Sequence, residues 1–277
     1  TAAGWFAALA TLGGCALRAR TRDAHVRSTY LALAIGACGV LAFGAGLHAG
    51  RPDWQYFAIR IAAFGVLMPI YATVAHRMFP FFAGNAVPGY RMYRPDWALT
   101  AMWCGIAVHL GAELSGLTAW RWLPDLGLTG LFAYLLWRWW PRAKAPPLLS
   151  VLFVGFLWLS AVLYALESLA MLGGLDMTFG RAPLHALAIG FFGSLLVAMV
   201  TRVTAGHSGR PLELGRIAAF AFVGMHAVAL ARVSAEWMPD PSLWWRASAL
   251  AWLFVFLPWV LRSAWVYLAP RLDGRPG

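Results

Sequence analysis

The chain holds 277 residues, of which 61% are hydrophobic and only 12% charged, and it carries a net charge of +11. Soluble domains run at roughly 45–50% apolar and about 25% charged residues, so a water-soluble fold is excluded and lipid must be the solvent for most of the chain. The basic balance does not mark a nucleic-acid binder, because the basic residues lie in short loops between apolar runs, as membrane topology alone requires.

In chain order the apolar runs cover about 2–17, 29–47, 57–75, 97–117, 126–140, 148–172, 183–205, 214–233 and 243–268. Most approach the ~20 residues that a helix needs to cross the hydrocarbon core. They are continuously apolar rather than alternating, which predicts helices and not barrel strands. Many of the 16 Trp, among them Trp97, Trp120, Trp122, Trp137, Trp139 and Trp140, stand near the ends of these runs, where indoles favour the headgroup layer. Cys15, Cys38 and Cys104 lie inside apolar runs without a C-x-x-C pair and read as small packing residues.

Every second loop is basic. One set holds Arg18, Arg20, Arg22, Arg27 and Asp23, then Arg77, Arg91, Arg94 and Asp96, then Arg138, Arg142 and Lys144, then Arg202, Arg210, Glu213 and Arg216, then Arg262, Arg271, Asp273 and Arg275. This set sums to +12 and everything else to −1, which predicts that it faces the cytoplasm together with the C-terminus. The chain begins at Thr1 inside an apolar run with no basic segment before it. A signal peptide is therefore not expected, and further residues are expected upstream. With no internal repeat and no long linker, residues 1–277 read as a single transmembrane helical domain.

Ionisable groups at the rim of a bundle are costly and thus candidates for function. His48, His109, His185 and His226 fall toward the outer ends of their helices; His76 and His207 fall at cytoplasmic ends. His25, in a basic loop, reads as a solvated side chain. His185 and His207 are 22 residues apart, so at about 100° per residue they differ by only ~40° around the axis while lying ~33 Å apart along it. One metal cannot hold both, but two sites, one near each surface, can each use one. Ala186, Gly190, Ser194 and Ala198 form a small-residue stripe on the same helix, which lets a neighbour approach closely and predicts a central position.

His109 and Glu113 stand at i and i+4, where the carboxylate can orient the imidazole. Met102 and Met225 lie near His109 and His226, and imidazole with thioether suits copper or haem iron. Packing is the commoner use of such Met residues, and a structural hydrogen bond the commoner use of such a His–Glu pair. Glu167, a turn inside the outer end of the sixth span, leaves a proton relay, a counter-ion and a surface-reaching side chain open. Arg77, Arg202 and Arg210 accompany His76 and His207. Their planar guanidinium groups suit bidentate carboxylates such as haem propionates, although positive-inside bias is the commoner explanation of such residues. Walker A, H-E-x-x-H, nucleophile-elbow and dinucleotide fingerprints are absent from the sequence, so hydrolase and nucleotide-binding readings have no support.

The stretch from His185, HALAIGFFGSLLVAMVTRVTAGHSGRPL, resembles the NnrS-family pattern HALT-x-GA…MMTR…LGHTGRPL, with His185, Thr201, Arg202, Gly206, His207, Gly209, Arg210 and Pro211 in place. HRMFPFFAGNAVPG resembles a second pattern, GRRVIPFFT-x-NAL-P-G, retaining Arg77, Pro80, Phe81, Phe82, Asn85, Pro88 and Gly89. PLLSVLFVGF resembles a third, PLLW-x-LH-x-GY, but has Phe153 where that pattern has His. A GFRPFF-like motif and a His-x-His-Glu motif of the family's N-terminal part are missing. About three of some twelve family helices are thus expected to be absent, either lost or never present in a shorter relative.

The resemblance implies an all-α, polytopic helix bundle in the bacterial inner membrane. It implies haem b, with copper as a second metal, and a role in nitric oxide and nitrosative-stress metabolism. His185 and His207 are the first expected ligands, His76 and His109 the next, and Arg77, Arg202 and Arg210 propionate or structural partners. Nitric oxide is the expected small-molecule ligand and a redox protein the expected partner, beside the bilayer itself. Two readings of other classes stay open: a proton- or anion-conducting transporter lined by His207, Glu167 and His185, and a non-catalytic membrane subunit that docks a redox partner.

Overall fold

The computed structural model describes residues 2–19, 23–158, 161–175 and 179–274; the loop cations Arg20, Arg22 and Arg275 lie outside this set. Among the described residues the chain is helical without strands, and its helices build nine rods that match the nine expected spans. They comprise α1 (Ala2–Arg18), α2 (Ala24–Ala49), α3 (Pro52–Arg60) running through a π-helical segment into α4 (Met68–Ala86), α5 (Asp96–Leu114) and α6 (Trp122–Trp139). Then come α7 (Pro147–Phe156) with α8 (Ala161–Leu172), α9 (Ala182–His185) running through a second π segment into α10 (Ser194–His207), α11 (Arg216–Ser234) and α12 (Pro241–Leu268). Among the described residues, seven of the rods are long and apolar enough to cross a membrane.

Local chemistry sets the ends. Asp23 caps α2 by accepting the His25 N–H, and Gly50 closes it in the left-handed conformation that a side chain disfavours. Pro52 opens α3 and Pro241 opens α12, where Asp240 accepts the N–H groups of Ser242 and Leu243. The third rod outruns its predicted span at both ends, from Pro52 to Ala86. Polarity at Asp53, His76 and Arg77 ends the apolar run but not the helix, since backbone hydrogen bonding does not depend on side-chain hydropathy.

Both π segments, Ile61–Leu67 and Ala186–Gly193, lie in the best-buried rods. Each wide turn adds to the residue count and shifts every side chain beyond it around the axis. The ~40° separation predicted for His185 and His207 assumed an unbroken α-helix, so it does not hold across Ala186–Gly193.

The small-residue stripe is central, as expected: Ala186, Ser194 and Ala198 are fully buried. Gly190 admits the indole of Trp158, and a Cβ there would lie 2.4 Å from the ring. Gly193 likewise receives the Met225 methyl, and Met102 and Met225 both belong to the apolar core. Gly190→Ala is expected to cost about 1–3 kcal/mol through overpacking, read as a lower melting temperature in detergent; an unchanged melting curve would show that Trp158 moves freely.

Toward the end where the basic loops lie, Phe79, Trp139, Phe153 and Phe156 form a buried aromatic cluster. Phe153 packs edge-on against Phe79 at 5.4 Å. An apolar ring at this position suits an apolar shell. Opposite this core, α12 turns Leu250, Phe254, Leu261 and Trp265 outward, the surface expected of a helix facing lipid.

Candidate functional site

Polar side chains gather at both ends of the bundle. At the basic end the start of α2 meets α4. His25 is 9% exposed and His76 fully buried, so His25 is not the solvated loop side chain that the sequence suggested. His25 instead lies in the first turn of α2, its ring held between Asp23 and His76. The His25 Nε2 atom lies 3.0 Å from His76 Nδ1, and the rings stack at 5.2 Å. The outer nitrogens are also held: His25 Nδ1 faces Asp23 Oδ1 at 3.0 Å, and His76 Nε2 faces the Pro95 carbonyl at 3.0 Å.

Asp23 is itself gripped by Arg77, whose Nη1 donates to Oδ2 at 2.8 Å. Burial alone would raise this carboxyl, but hydrogen bonds from the His25 backbone and ring, with the Arg77 charge, hold it below its ordinary value. A cavity of about 620 Å³ opens beside His25, with Cys15, Thr29, Thr73, Arg77 and Met78 in its wall.

The opposite end carries an ionic string that runs from the exposed Arg60 inward to buried Glu113 and Arg121. Arg121, with its side chain 6% exposed, donates from Nη1 to Glu113 and from Nη2 to Glu167 at 2.7 Å. Arg60 donates from Nε to the other oxygen of Glu113 at 2.9 Å. Two cations and two anions thus alternate, which is how charges persist out of water. Glu113 does not orient His109 as the i, i+4 spacing predicted, because the two cations claim both its oxygens. Asp125, fully buried on α6, takes that place and accepts from His109 Nδ1 at 2.6 Å.

Proton counting assigns the ring. With Asp125 as the accepting carboxylate, Nδ1 carries the hydrogen and Nε2 is the ring's other nitrogen, facing away from Asp125. That atom is buried without a hydrogen-bond partner. The ring packs against Phe64 at 4.1 Å and Tyr164 at 5.1 Å. Both of those side chains line a cavity of about 660 Å³, which Arg60, Arg121, Arg181 and His185 also border. His185 is half-buried, and its Nδ1 donates to the Arg181 carbonyl at 2.8 Å. Its neutral ring therefore has its lone pair on Nε2.

The remaining candidates are placed differently. His226 Nδ1 accepts from Trp158 at 2.7 Å, which puts the hydrogen on Nε2. His207 is exposed at the end of α10. Arg202 is buried over the Phe82 ring at 4.2 Å, and its Nε lacks a hydrogen bond. Arg210 lies over Trp265 at 5.4 Å. The structure thus brings His185 toward His109 across one cavity wall, pairs His76 with His25, and leaves His207 apart from both groups. Among the described residues no three His, Cys, Asp or Glu side chains converge as a ready metal site.

Asp23, Arg121 and Asp125 escaped sequence reading. Each sits within a few residues of an apolar run, where a charge looks like a loop residue. The available signal was that Glu113, Arg121 and Asp125 crowd one short connection, more charge than a turn needs.

The NnrS protein family model matches residues 1–271. No curated protein and no solved structure matches the chain.

Proposed function

Because the chain belongs to the NnrS family, we propose that it is a haem-binding protein of the bacterial inner membrane acting in nitric oxide and nitrosative-stress metabolism. The basic loops then face the cytoplasm, with the C-terminus on that side. The observation that carries the reading is the cavity of about 660 Å³ between His185 and the wall in front of His109. Its donor set suits haem b. His185 is turned by a backbone carbonyl so that Nε2 is the ligating atom, the usual support for an iron-bound imidazole. His109 has carboxylate support and a buried Nε2 without a hydrogen-bond partner. Arg60 and Arg181 stand at the cavity border, where guanidinium groups can take propionates.

In this reading His185 is the first ligand and His109 a second imidazole behind Phe64 and Tyr164. Haem supplies a redox-active iron able to bind a diatomic such as nitric oxide. The chain's own part is to hold that group, exclude water with Phe64, Ile59 and Leu184, and keep both imidazoles oriented. An ion-conducting reading is weaker, since the buried aromatic cluster at the basic end fills the interior below His76.

The test is the reduced-minus-oxidised visible spectrum of the purified protein. The expected result is a Soret band with b-type bands that shift on adding nitric oxide, lost or strongly displaced in His185→Ala. Absence of a Soret band together with absence of iron by elemental analysis would overturn the reading.

A further inference from the structure

At the basic end, the loop 87–95 between α4 and α5 is fastened to the end of α6. The Tyr90 hydroxyl donates to the Trp139 carbonyl at 2.9 Å, Trp139 Nε1 donates to the Tyr93 carbonyl at 2.8 Å, and the Tyr93 and Tyr134 hydroxyls lie 2.9 Å apart. Gly89 turns the loop at a φ of 71°, where a side chain is disfavoured. A cavity of about 390 Å³ opens between this loop and the residues that follow α6, with Arg91, Arg138, Arg142, Trp137 and Trp140 on its border.

The chain supplies no counter-charge there. Residues 87–95 read VPGYRMYRP and 140–146 read WPRAKAP, without an acid. Among the described residues, none of the ion pairs includes Arg91, Arg138 or Arg142. Topology explains why cations face this side, but not why three of them share one hollow, where like charges repel. The Arg138 guanidinium lies over the Tyr93 ring at 4.0 Å and that of Arg142 over Trp137 at 5.5 Å. Stacking uses the flat face of a guanidinium and leaves its N–H edges available. Only one of those edges is taken within the chain, by a long contact of 3.4 Å from Arg142 Nη2 to the Trp137 carbonyl.

We propose that this hollow binds the phosphate of an anionic phospholipid, with Arg91, Arg138 and Arg142 as donors. Forked guanidinium donors match phosphate oxygens, and basic hollows between membrane helices are where anionic headgroups bind. Two features favour a lipid over a free phosphate. Trp137 is 57% exposed and Trp140 41%, as indoles among headgroups are. Beyond Trp137 the same exposed face of α6 continues through Ala133, Gly130 and Gly127, and a Cβ added at either glycine would meet nothing within 4 Å. The ten positions from Gly127 to Trp137 span ~15 Å at 1.5 Å per residue, about half of a ~30 Å hydrocarbon core. An acyl chain can thus lie along this shallow strip while its phosphate sits among the arginines. Because hydrogen bonds already hold the walls together, binding needs little further ordering. The site lies at the opposite end of the bundle from His185, so it stands whether or not iron is bound there.

The experiment uses the full chain, stripped of lipid in detergent and given phosphatidylglycerol, or phosphatidylcholine with the same acyl chains. Native mass spectrometry should show one retained phosphatidylglycerol per chain, and amide exchange in residues 87–95 should slow; phosphatidylcholine should do neither. Arg138→Gln/Arg142→Gln should weaken phosphatidylglycerol binding roughly 30-fold, the product of two lost surface cations. Arg18→Gln/Arg27→Gln, which removes two cations elsewhere at the same end, should leave it close to wild type. Equal retention of the two lipids, or equal weakening by the two double variants, would reduce the hollow to general surface charge and overturn the proposal. Inorganic phosphate that slows exchange in 87–95 as much as the lipid does would also overturn it, since the ligand would then be a free anion. The comparison of lipids on the wild-type chain decides the matter even where a variant folds poorly.

Discussion

Arg121→Met is expected to lower stability by about 3–5 kcal/mol, the cost of stranding charges whose partner has been removed from a buried pair. The Arg121 side chain is 6% exposed and joins Glu113 to Glu167. Its loss leaves Glu167 with no cation and Glu113 with Arg60 alone. Removing the stranded anion as well should recover most of the loss, so Arg121→Met/Glu167→Leu is expected to lie within about 1–2 kcal/mol of wild type. Arg51→Ala, which breaks an ion pair exposed on both sides, should leave the unfolding curve essentially where it is in wild type. Unfolding curves in detergent measure all three. Equal damage from the single and double variants would mean that Arg121 acts by packing rather than by charge.

The second large effect concerns Trp139. It is fully buried, its Nε1 donates to the Tyr93 carbonyl at 2.8 Å, and its own carbonyl accepts from the Tyr90 hydroxyl at 2.9 Å. Its ring touches Phe79, Phe156 and His76. Trp139→Ala should therefore cost about 3–5 kcal/mol, as for other large aromatic truncations in a core. Trp139→Phe keeps most of the ring but strands the Tyr93 carbonyl, and should cost nearer 1–2 kcal/mol. Burial raises the Tyr90 hydroxyl to about 12, so it stays a donor at ordinary pH and survives both changes. Amide hydrogen exchange in residues 87–95 should rise in the Ala variant and much less in the Phe variant. Equal exchange in both would separate the loop's order from the aromatic cluster. The same loop supplies the Pro95 carbonyl to His76, so Trp139 also steadies the imidazole pair.

What sequence patterns could and could not show divides along one physical line. Hydropathy is a property of a continuous segment, so the helices were legible, as was the central place of the small-residue stripe at Ala186–Ala198. The i, i+4 relation of His109 and Glu113 was equally legible as geometry along one helix. It misled as chemistry, because Arg60 and Arg121 reach Glu113 from other elements and Asp125 reaches His109 from α6. A carboxylate in a low-dielectric interior goes to the nearest guanidinium, and only packing says which one is near.

The same line separates the two histidine groups. Composition, loop charge and the motifs that begin at His76 and His185 determined a helical membrane protein of a particular family, since each is written in adjacent residues. Only the tertiary structure brought His25 to His76 across 51 positions of chain. It alone set His185 on one cavity with Arg60 and Arg121, and left His207 at the surface. Side-chain partnerships between helices depend on rotation about each axis, and two π-helical segments changed that rotation where a regular 3.6-residue count could not see it.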